Sequence, residues 1–213
     1  MAILRNLAVG LMAATFAFSA SAQDDKWQEG EDYERLPSEV NASSGDGIEV
    51  AEVFWYGCGY CMEFESHVKT WKEDLDDDID FVYLAAPMNR AAAAHAKAFY
   101  AMEALEARDR THDAFYKALA EERRDLTSAS DLADFVAEHG VDREEFLKAF
   151  ESFGVKAQTQ RAMSVLRGAQ VQGTPTMLVA GKYRTSPSMT GGYEETLEVV
   201  DYLVEKERSE RAE

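Results

Sequence analysis

The sequence predicts an α/β fold whose strands are separated by a large all-helical insertion. Two runs rich in β-branched and aromatic residues, Ile48–Tyr56 and Asp80–Ala85, indicate strands, and a third run begins at Thr176. Between the second and third runs, apolar side chains recur at three-to-four spacing over about 80 residues, which is typical of helices. The 213 residues, 46% of them hydrophobic, suffice for one sizeable core.

The first strand leads directly into a pair of cysteines. Gly45-Asp46-Gly47 is a turn signal that opens the strand, and Cys58-Gly59-Tyr60-Cys61 follows its end. From Cys61 onward a helical spacing of apolar positions includes Met62, Phe64, Glu65, Val68, Trp71 and Leu75. The cysteine pair is therefore predicted at a strand-to-helix junction.

The remaining elements follow from the same patterns. Helices are predicted within the insertion at Ala91–Ala107, Thr111–Ala120, Ser130–His139 and Asp142–Arg167, the last with a break near Gly154. Strands are predicted at Thr176–Ala180 and Tyr183–Thr185, joined by a Gly181-Lys182 turn, and a helix at Glu194–Lys206; a further strand is possible at Tyr33–Leu36. This order is that of a thioredoxin fold with residues 23–88 and 168–213 as one domain, interrupted by a helical insertion domain at residues 89–167.

The first 22 residues have the pattern of a secretory signal peptide. Arg5 supplies the positive charge, Leu7–Phe18 the apolar stretch, and Ala20-Ser21-Ala22 a cleavage site. A membrane anchor is the alternative, but an apolar run of about 12 residues is shorter than the roughly 20 that a spanning helix needs. We expect cleavage after Ala22 and a mature protein in an oxidising compartment, which in a bacterium is the periplasm.

The charge of the chain disfavours nucleic acid as a partner. The formal net charge is −18, from 22 Lys+Arg against 40 Asp+Glu. The acidic run at residues 73–78 lacks the alternation of a calcium loop and is interpreted as solvated surface, so no metal site is expected there.

The two cysteines are best explained as a redox-active pair. At the start of a helix Cys58 is the exposed nucleophile, because free backbone N–H groups and the helix dipole favour its thiolate, and Cys61 is shielded in the first turn. A structural disulfide across so short a loop would add only about 2 kcal/mol of stability. A zinc site would need two further ligands, and the four histidines form no pair at ligand spacing.

Two more features accompany the pair. Glu52 lies on the strand face shared by Ile48, Val50 and Phe54, where a buried carboxyl group could exchange a proton with Cys61. The alternative is an edge strand with Glu52 in solvent. The segment Gly173-Thr174-Pro175 precedes the third strand, and the sequence alone does not decide whether its X-Pro bond is cis.

Taken together, these motifs resemble the DsbA family of periplasmic thiol:disulfide oxidoreductases. The resemblance rests on residues 49–54, Cys58 to Cys61, Ser128–Leu132, and Gln172–Pro175 with Gly181-Lys182-Tyr183. It implies a cis Thr174–Pro175 peptide that faces the disulfide and offers Thr174 backbone groups to an extended client segment. It also implies a buried Glu52, and an apolar client groove lined by Phe64 and Val68, with Met189 as a further member.

The residues around the cysteines depart from the common DsbA pattern. Many members have Pro-His between the cysteines and Val before the cis-proline, whereas Gly59, Tyr60 and Thr174 resemble the DsbC-type isomerases. Because a histidine there can stabilise the thiolate, Tyr60 should raise the pKa of Cys58 and weaken the oxidant. The chain from Gln23 to Gly47 is too short for the extra N-terminal dimerisation domain of those isomerases.

The sequence therefore predicts a dithiol oxidase for exported proteins with thiols. The resemblance implies a DsbB-type membrane quinone reductase that reoxidises Cys58 and Cys61, and the disulfide itself is the only redox group expected. A monomer is expected. A DsbC-type isomerase or reductase and a client-binding chaperone module are the alternatives.

Overall fold

The fold is described from a computed structural model, in which residues 26–43 and 45–212 are described. The signal peptide predicted at residues 1–22 lies outside the described residues. Within them the strands are β1 (Glu34–Arg35), β2 (Ile48–Phe54), β3 (Ile79–Ala85), β4 (Thr176–Val179) and β5 (Tyr183–Thr185). The helices are α1 (Gly59–Lys72), α2 (Arg90–Ala104), α3 (Arg108–Ala120), α4 (Ala129–Glu138), α5 (Arg143–Phe150), α6 (Phe153–Gly168), α7 (Pro187–Thr190) and α8 (Tyr193–Ala212).

The five strands form one mixed sheet in the order β1-β5-β4-β2-β3. Strand β2 runs parallel to β3 and antiparallel to β4, and it has a neighbour on both sides. Six of its seven residues are buried, which explains why it is apolar almost throughout. The sheet thus confirms the predicted α/β thioredoxin fold.

The chain between β3 and β4 is helical, as predicted. Side-chain caps begin four of these helices: the side chains of Asn89, Ser128, Asp142 and Ser152 accept hydrogen bonds from backbone N–H groups of α2, α4, α5 and α6. The single long helix predicted with a break near Gly154 is two helices, because Ser152 caps a new helix there. The division of the chain into two domains at residues 88 and 168 stays a prediction.

One hydrophobic cluster joins the helical insertion to the sheet. It contains Phe54 and Tyr56 from the end of β2, Cys61 from α1, and side chains such as Phe99 and Phe115 from α2 and α3. Apolar burial of this extent fixes the helices against the end of β2. The insertion therefore forms one wall around the cysteine pair.

Two further elements differ from the sequence prediction. The short helix α7 was not predicted, and its first residue, Pro187, occupies a position that proline favours because no N–H partner is needed there. Helix α8 extends to Ala212, beyond the predicted end at Lys206. No helix in the described part of the chain is both long and apolar enough to cross a membrane.

Candidate active site

The end of β2 turns sharply into α1 and places Cys58 at the turn. The backbone N–H of Cys58 donates to the carbonyl oxygen of Trp55 at 2.9 Å. The Trp55 ring lies over Gly57, where a Cβ atom would come within 2.4 Å of the ring, so glycine is required. Cys58 is the N-cap of α1 and has extended backbone angles. The predicted strand-to-helix junction is confirmed.

Cys58 faces the loop that precedes β4. Its Sγ atom, half-buried, lies 3.3 Å from the carbonyl oxygen of Thr174, to which the thiol donates. The Thr174–Pro175 peptide bond is cis, as the family resemblance implies. Sulfur, Thr174 and Pro175 are thus brought together from segments more than a hundred residues apart.

The pKa of Cys58 is lowered to about 5. The largest cause is a hydrogen bond from the Cys61 thiol, opposed by partial burial; the Thr174 side chain and the backbone N–H groups of Cys61 and Tyr60 add to the lowering. The contact with the Thr174 carbonyl stabilises the protonated thiol of Cys58. More groups donate hydrogen bonds to the Cys58 sulfur, and these stabilise the thiolate. Cys58 is therefore the group of the pair that ionises.

Cys61 has the opposite character. Its side chain is fully buried, and this burial raises its pKa far above that of a free thiol, an effect that the neighbouring Cys58 sulfur increases. Both cysteines are free thiols in the structure. The pair therefore consists of one accessible thiolate and one shielded thiol, which is the asymmetry that directed thiol exchange requires.

Glu52 lies on β2 and is completely buried. The edge-strand alternative is wrong, because β2 is flanked by β3 and β4. Neither carboxylate oxygen has a hydrogen-bond partner among the described residues. Burial raises the pKa of Glu52 well above its usual value; the charge of Glu65 adds to this, and Lys72 opposes it.

Several polar side chains near Glu52 were not predicted as site residues. Glu65, buried on α1, accepts a hydrogen bond from the hydroxyl of Tyr83 at 2.9 Å. Its other oxygen lies 3.4 Å from Nε2 of His112 on α3, whose Nδ1 lies 2.7 Å from the hydroxyl of Tyr56. Glu65 carried a sequence signal, since it occupies an apolar position of the α1 pattern, whereas nothing in the sequence pointed to His112.

An open depression lies beside Cys58. Tyr60, the largest exposed side chain of the cysteine loop at 69%, lines it together with Thr174, Pro175 and Tyr193. Met189 lines a neighbouring depression that shares Thr174 and Pro175, so its predicted place near a client segment stays a prediction. A Cβ atom at Gly59 would meet nothing within 4 Å, so this position tolerates other residues.

The predicted contribution of Phe64 and Val68 to the groove surface is wrong. Both side chains are fully buried in the core that α1 forms with β2, β4 and α8. Their spacing from Cys61 places them on the inward face of the helix, and the ring of Tyr193 stacks on Phe64 at 5.4 Å between centroids. Tyr193 covers this face, so Phe64 and Val68 support the groove from below.

The described residues show no grouping of three or more His, Cys, Asp or Glu side chains that could bind a metal ion.

Comparison with known proteins gives a consistent result. The family described as "DSBA-like thioredoxin domain" matches residues 68–198. The chain is 39% identical to a thiol:disulfide interchange protein DsbA of Pseudomonas aeruginosa over 97% of this chain and 98% of that protein, and 35% identical to one of Azotobacter vinelandii over 97% and 99%.

Solved structures agree with this comparison. A crystal structure of Pseudomonas aeruginosa DsbA superposes with a TM-score of 0.85 at 39% identity, covering 89% of this chain and 99% of that one. The oxidoreductase DsbA of Xylella fastidiosa gives 0.80 at 30% identity, covering 85% and 98%. The chain belongs to the DsbA family of thioredoxin-fold thiol:disulfide oxidoreductases.

Proposed function

We propose that the protein is a dithiol oxidase that donates the Cys58–Cys61 disulfide to exported proteins. The observation that carries this proposal is the lowered pKa of Cys58, about 5. A stabilised thiolate stabilises the reduced form of the pair, and a pair with a stable reduced form is a stronger oxidant of other thiols. The disulfide is the only redox group that this function needs.

The exchange takes place in two displacements. A client thiolate attacks Cys58 Sγ, the Cys58–Cys61 bond breaks with its electron pair on Cys61, and Glu52 supplies the proton that makes Cys61 a thiol. A second client thiolate then attacks the client sulfur of the mixed disulfide, and Cys58 leaves as a thiolate. The client gains a disulfide, and the protein retains both electrons as a dithiol.

The groove beside Cys58 supports binding of an extended client segment. Thr174 presents backbone groups next to the sulfur, which suits strand addition by the client. Tyr60 and Tyr193 form aromatic walls of the depression, and Met189 lines the neighbouring depression that shares Thr174 and Pro175. With a formal net charge of −18, the chain favours basic or neutral clients over acidic ones and over nucleic acid.

The proposal includes a place and a partner for the oxidase. A signal peptide cleaved after Ala22 would deliver the protein to the periplasm, where a monomer would act on thiols of newly exported proteins. A DsbB-type membrane quinone reductase would accept the two electrons and restore the Cys58–Cys61 disulfide. The support for this part is the sequence pattern and the family membership.

A DsbC-type isomerase or reductase is the second candidate. Gly59, Tyr60 and Thr174 favour it, since they differ from the residues common in DsbA proteins at the same positions. It requires the opposite resting state, with Cys58 kept reduced. A client-binding chaperone module, the third candidate, requires neither cysteine.

A trapping experiment tests the three candidates in cells. In Cys61→Ala, a mixed disulfide at Cys58 lacks its resolving thiol, so clients should accumulate on the protein, and Cys58→Ala serves as the matched control that traps none. Absence of trapped clients would refute thiol exchange. The resting redox state of the unaltered pair, measured by thiol alkylation, separates the remaining two: an oxidase is predominantly disulfide, and a predominantly dithiol form would refute the proposal.

A further inference from the structure

A group of buried polar side chains lies between the cysteine helix and the helical insertion. We call Glu52, Tyr56, Glu65, Tyr83 and His112 the buried polar cluster. Glu52 on β2 pairs in register with Tyr83 on β3, and the hydroxyl of Tyr83 donates to Glu65. Glu52 and Glu65 are therefore two carboxyl groups in one buried region, where two negative charges repel each other strongly.

His112 is the most buried basic side chain in contact with this region. It is 5% exposed, and the hydroxyl of Tyr56 lies 2.7 Å from its Nδ1. In the neutral ring, Nδ1 accepts a hydrogen bond from the Tyr56 hydroxyl and Nε2 carries the ring hydrogen. In the protonated ring both nitrogens carry hydrogen, and Nδ1 donates a hydrogen bond to the Tyr56 oxygen instead. In both states Nε2 carries a hydrogen and lies 3.4 Å from an oxygen of Glu65, which is within ion-pair distance, although neither atom has a hydrogen-bond partner among the described residues. The contact with Tyr56 is thus compatible with either form of the ring, with only a rotation of the Tyr56 hydroxyl between them.

The other basic groups around the cluster are less buried than His112. Lys72 is half-buried, lies 3.5 Å from the hydroxyl of Tyr83, and opposes the raised pKa of Glu52. Lys69 approaches Glu65 at 3.8 Å, but its side chain is half-exposed and also contacts Asp113. Water and this second partner weaken its effect on a buried charge. The titratable groups that face His112 come from four segments: Tyr56 after β2, Glu65 from α1, Tyr83 from β3, and Asp109 and Tyr116 from α3 itself.

We infer that His112 is a positioning residue for the proton exchange between Cys61 and Glu52, because its protonated ring would place a compensating positive charge against Glu65, the second carboxyl group of the buried polar cluster. The inference rests on the proposed exchange function. When Cys61 leaves the disulfide and takes a proton, Glu52 becomes a buried carboxylate beside Glu65. A protonated His112 reduces the repulsion between these two charges, and Glu52 gives up its proton more readily.

Three variants test this inference: His112→Gln, Glu65→Gln and the double variant. The measurement is the pH dependence of the rate at which a cysteine peptide reduces the Cys58–Cys61 disulfide, divided at each pH by the ionised fraction of the peptide thiol, which is titrated separately. That rate falls when Glu52 loses its proton before the reaction. His112→Gln should move this midpoint up by about one unit, and Glu65→Gln should move it down.

The double variant separates charge compensation from a structural role. Without the Glu65 charge, His112 has nothing to compensate, so the double variant should match Glu65→Gln. Additive shifts, or an unchanged midpoint in His112→Gln, would overturn the inference. Lys69→Gln is the matched control, and a shift as large as that of His112→Gln would also overturn it.

A second measurement does not depend on exchange activity. The infrared band of a protonated carboxyl group, assigned by its loss in Glu52→Gln, reports the ionisation of Glu52 directly. In His112→Gln this band should persist to higher pH by the same shift. If the peptide fails to reduce the disulfide in every protein but the band shifts, the proposed function fails while the charge coupling of His112 to Glu52 stands. An unshifted band refutes the inference. If His112→Gln does not fold, His112→Asn, which also replaces the ring by a neutral amide, takes its place with the same expected upward shift, and an unchanged midpoint there overturns the inference.

Discussion

The thiol of Cys61 should be the principal reason for the acidity of Cys58. It is the largest cause of the lowered pKa, ahead of the Thr174 side chain and the backbone N–H groups at the start of α1. Cys61→Ala removes the donor and keeps the helix start. Cys61→Ser replaces S–H by O–H at the same buried position and serves as the matched control.

The expected shift follows from the strength of such a bond. A hydrogen bond to a charged group contributes about 1.5–3 kcal/mol, and one pKa unit corresponds to about 1.4 kcal/mol. Because Cys58 is half-exposed, water replaces part of the lost bond, so the lower end of the range applies. The pKa of Cys58 should rise from about 5 to about 6 in Cys61→Ala and stay near its original value in Cys61→Ser.

The assay is the ultraviolet absorbance of the thiolate in reduced protein as a function of pH, repeated as the pH dependence of alkylation by iodoacetamide. Both report Cys58, because the variants carry no other cysteine. An equal pKa in Cys61→Ala and the unaltered protein would show that the helix start alone stabilises the thiolate. A raised pKa in both variants would show that sulfur at position 61, and not the donated hydrogen, matters.

Four further predictions concern single residues. The pKa of Cys58 is lower in the folded protein than the usual 8.5, so the thiolate stabilises the reduced folded protein above that pH. This contribution is about 2 kcal/mol after allowance for solvent, and it is lost as pH falls through about 5. The unfolding free energy of reduced Cys58→Ala should not show this pH dependence. The raised pKa of Glu52 has the opposite sign, so stability should fall as pH rises above about 4.3, and Glu52→Gln should remove that slope in urea unfolding. Tyr60→His should lower the pKa of Cys58 and make the pair more oxidising against glutathione, with Tyr60→Phe as control. Phe64→Ala should cost about 3–5 kcal/mol of unfolding free energy, because the ring is fully buried.

Each of these predictions has a result that contradicts it. Identical pH profiles for reduced Cys58→Ala and the unaltered protein would refute the linkage argument. A Glu52→Gln variant that keeps the alkaline loss of stability would place the responsible group elsewhere. An unchanged potential in Tyr60→His would show that residue 60 does not tune the pair. Weaker peptide binding by Phe64→Ala without loss of stability would restore Phe64 to the groove.

Local sequence patterns were sufficient for most of the fold and for the centre of the site. Apolar periodicity is set by which side of an element is buried, so β2 and α1 were predictable, as was the cysteine pair between them. The position of Ser152 was available as a cap signal, but the apolar pattern continued past it, and the two helices α5 and α6 were predicted as one. A four-residue helix such as α7 has too short a pattern to be distinguished from a turn.

The role of Phe64 and Val68 could not be decided from the helical spacing. An apolar position on a helix that lines a groove looks the same in sequence as one that packs into the core. The ring of Tyr193, more than a hundred residues away, covers Phe64 and leaves the groove surface to Tyr60 and Tyr193 itself. Only the packing of α8 against α1 makes that distinction.

The sequence by itself determined the thiol chemistry, because Cys58 and Cys61 at a helix start acquire different exposure from local geometry alone. It also indicated the burial of Glu52, through its place on an apolar strand face. The tertiary structure alone decided what surrounds these groups: the Thr174 carbonyl beside Cys58, and Glu65 with His112 near Glu52. Electrostatic effects act through space, so the groups that set the protonation of a buried carboxyl come from elements whose contact no local pattern encodes.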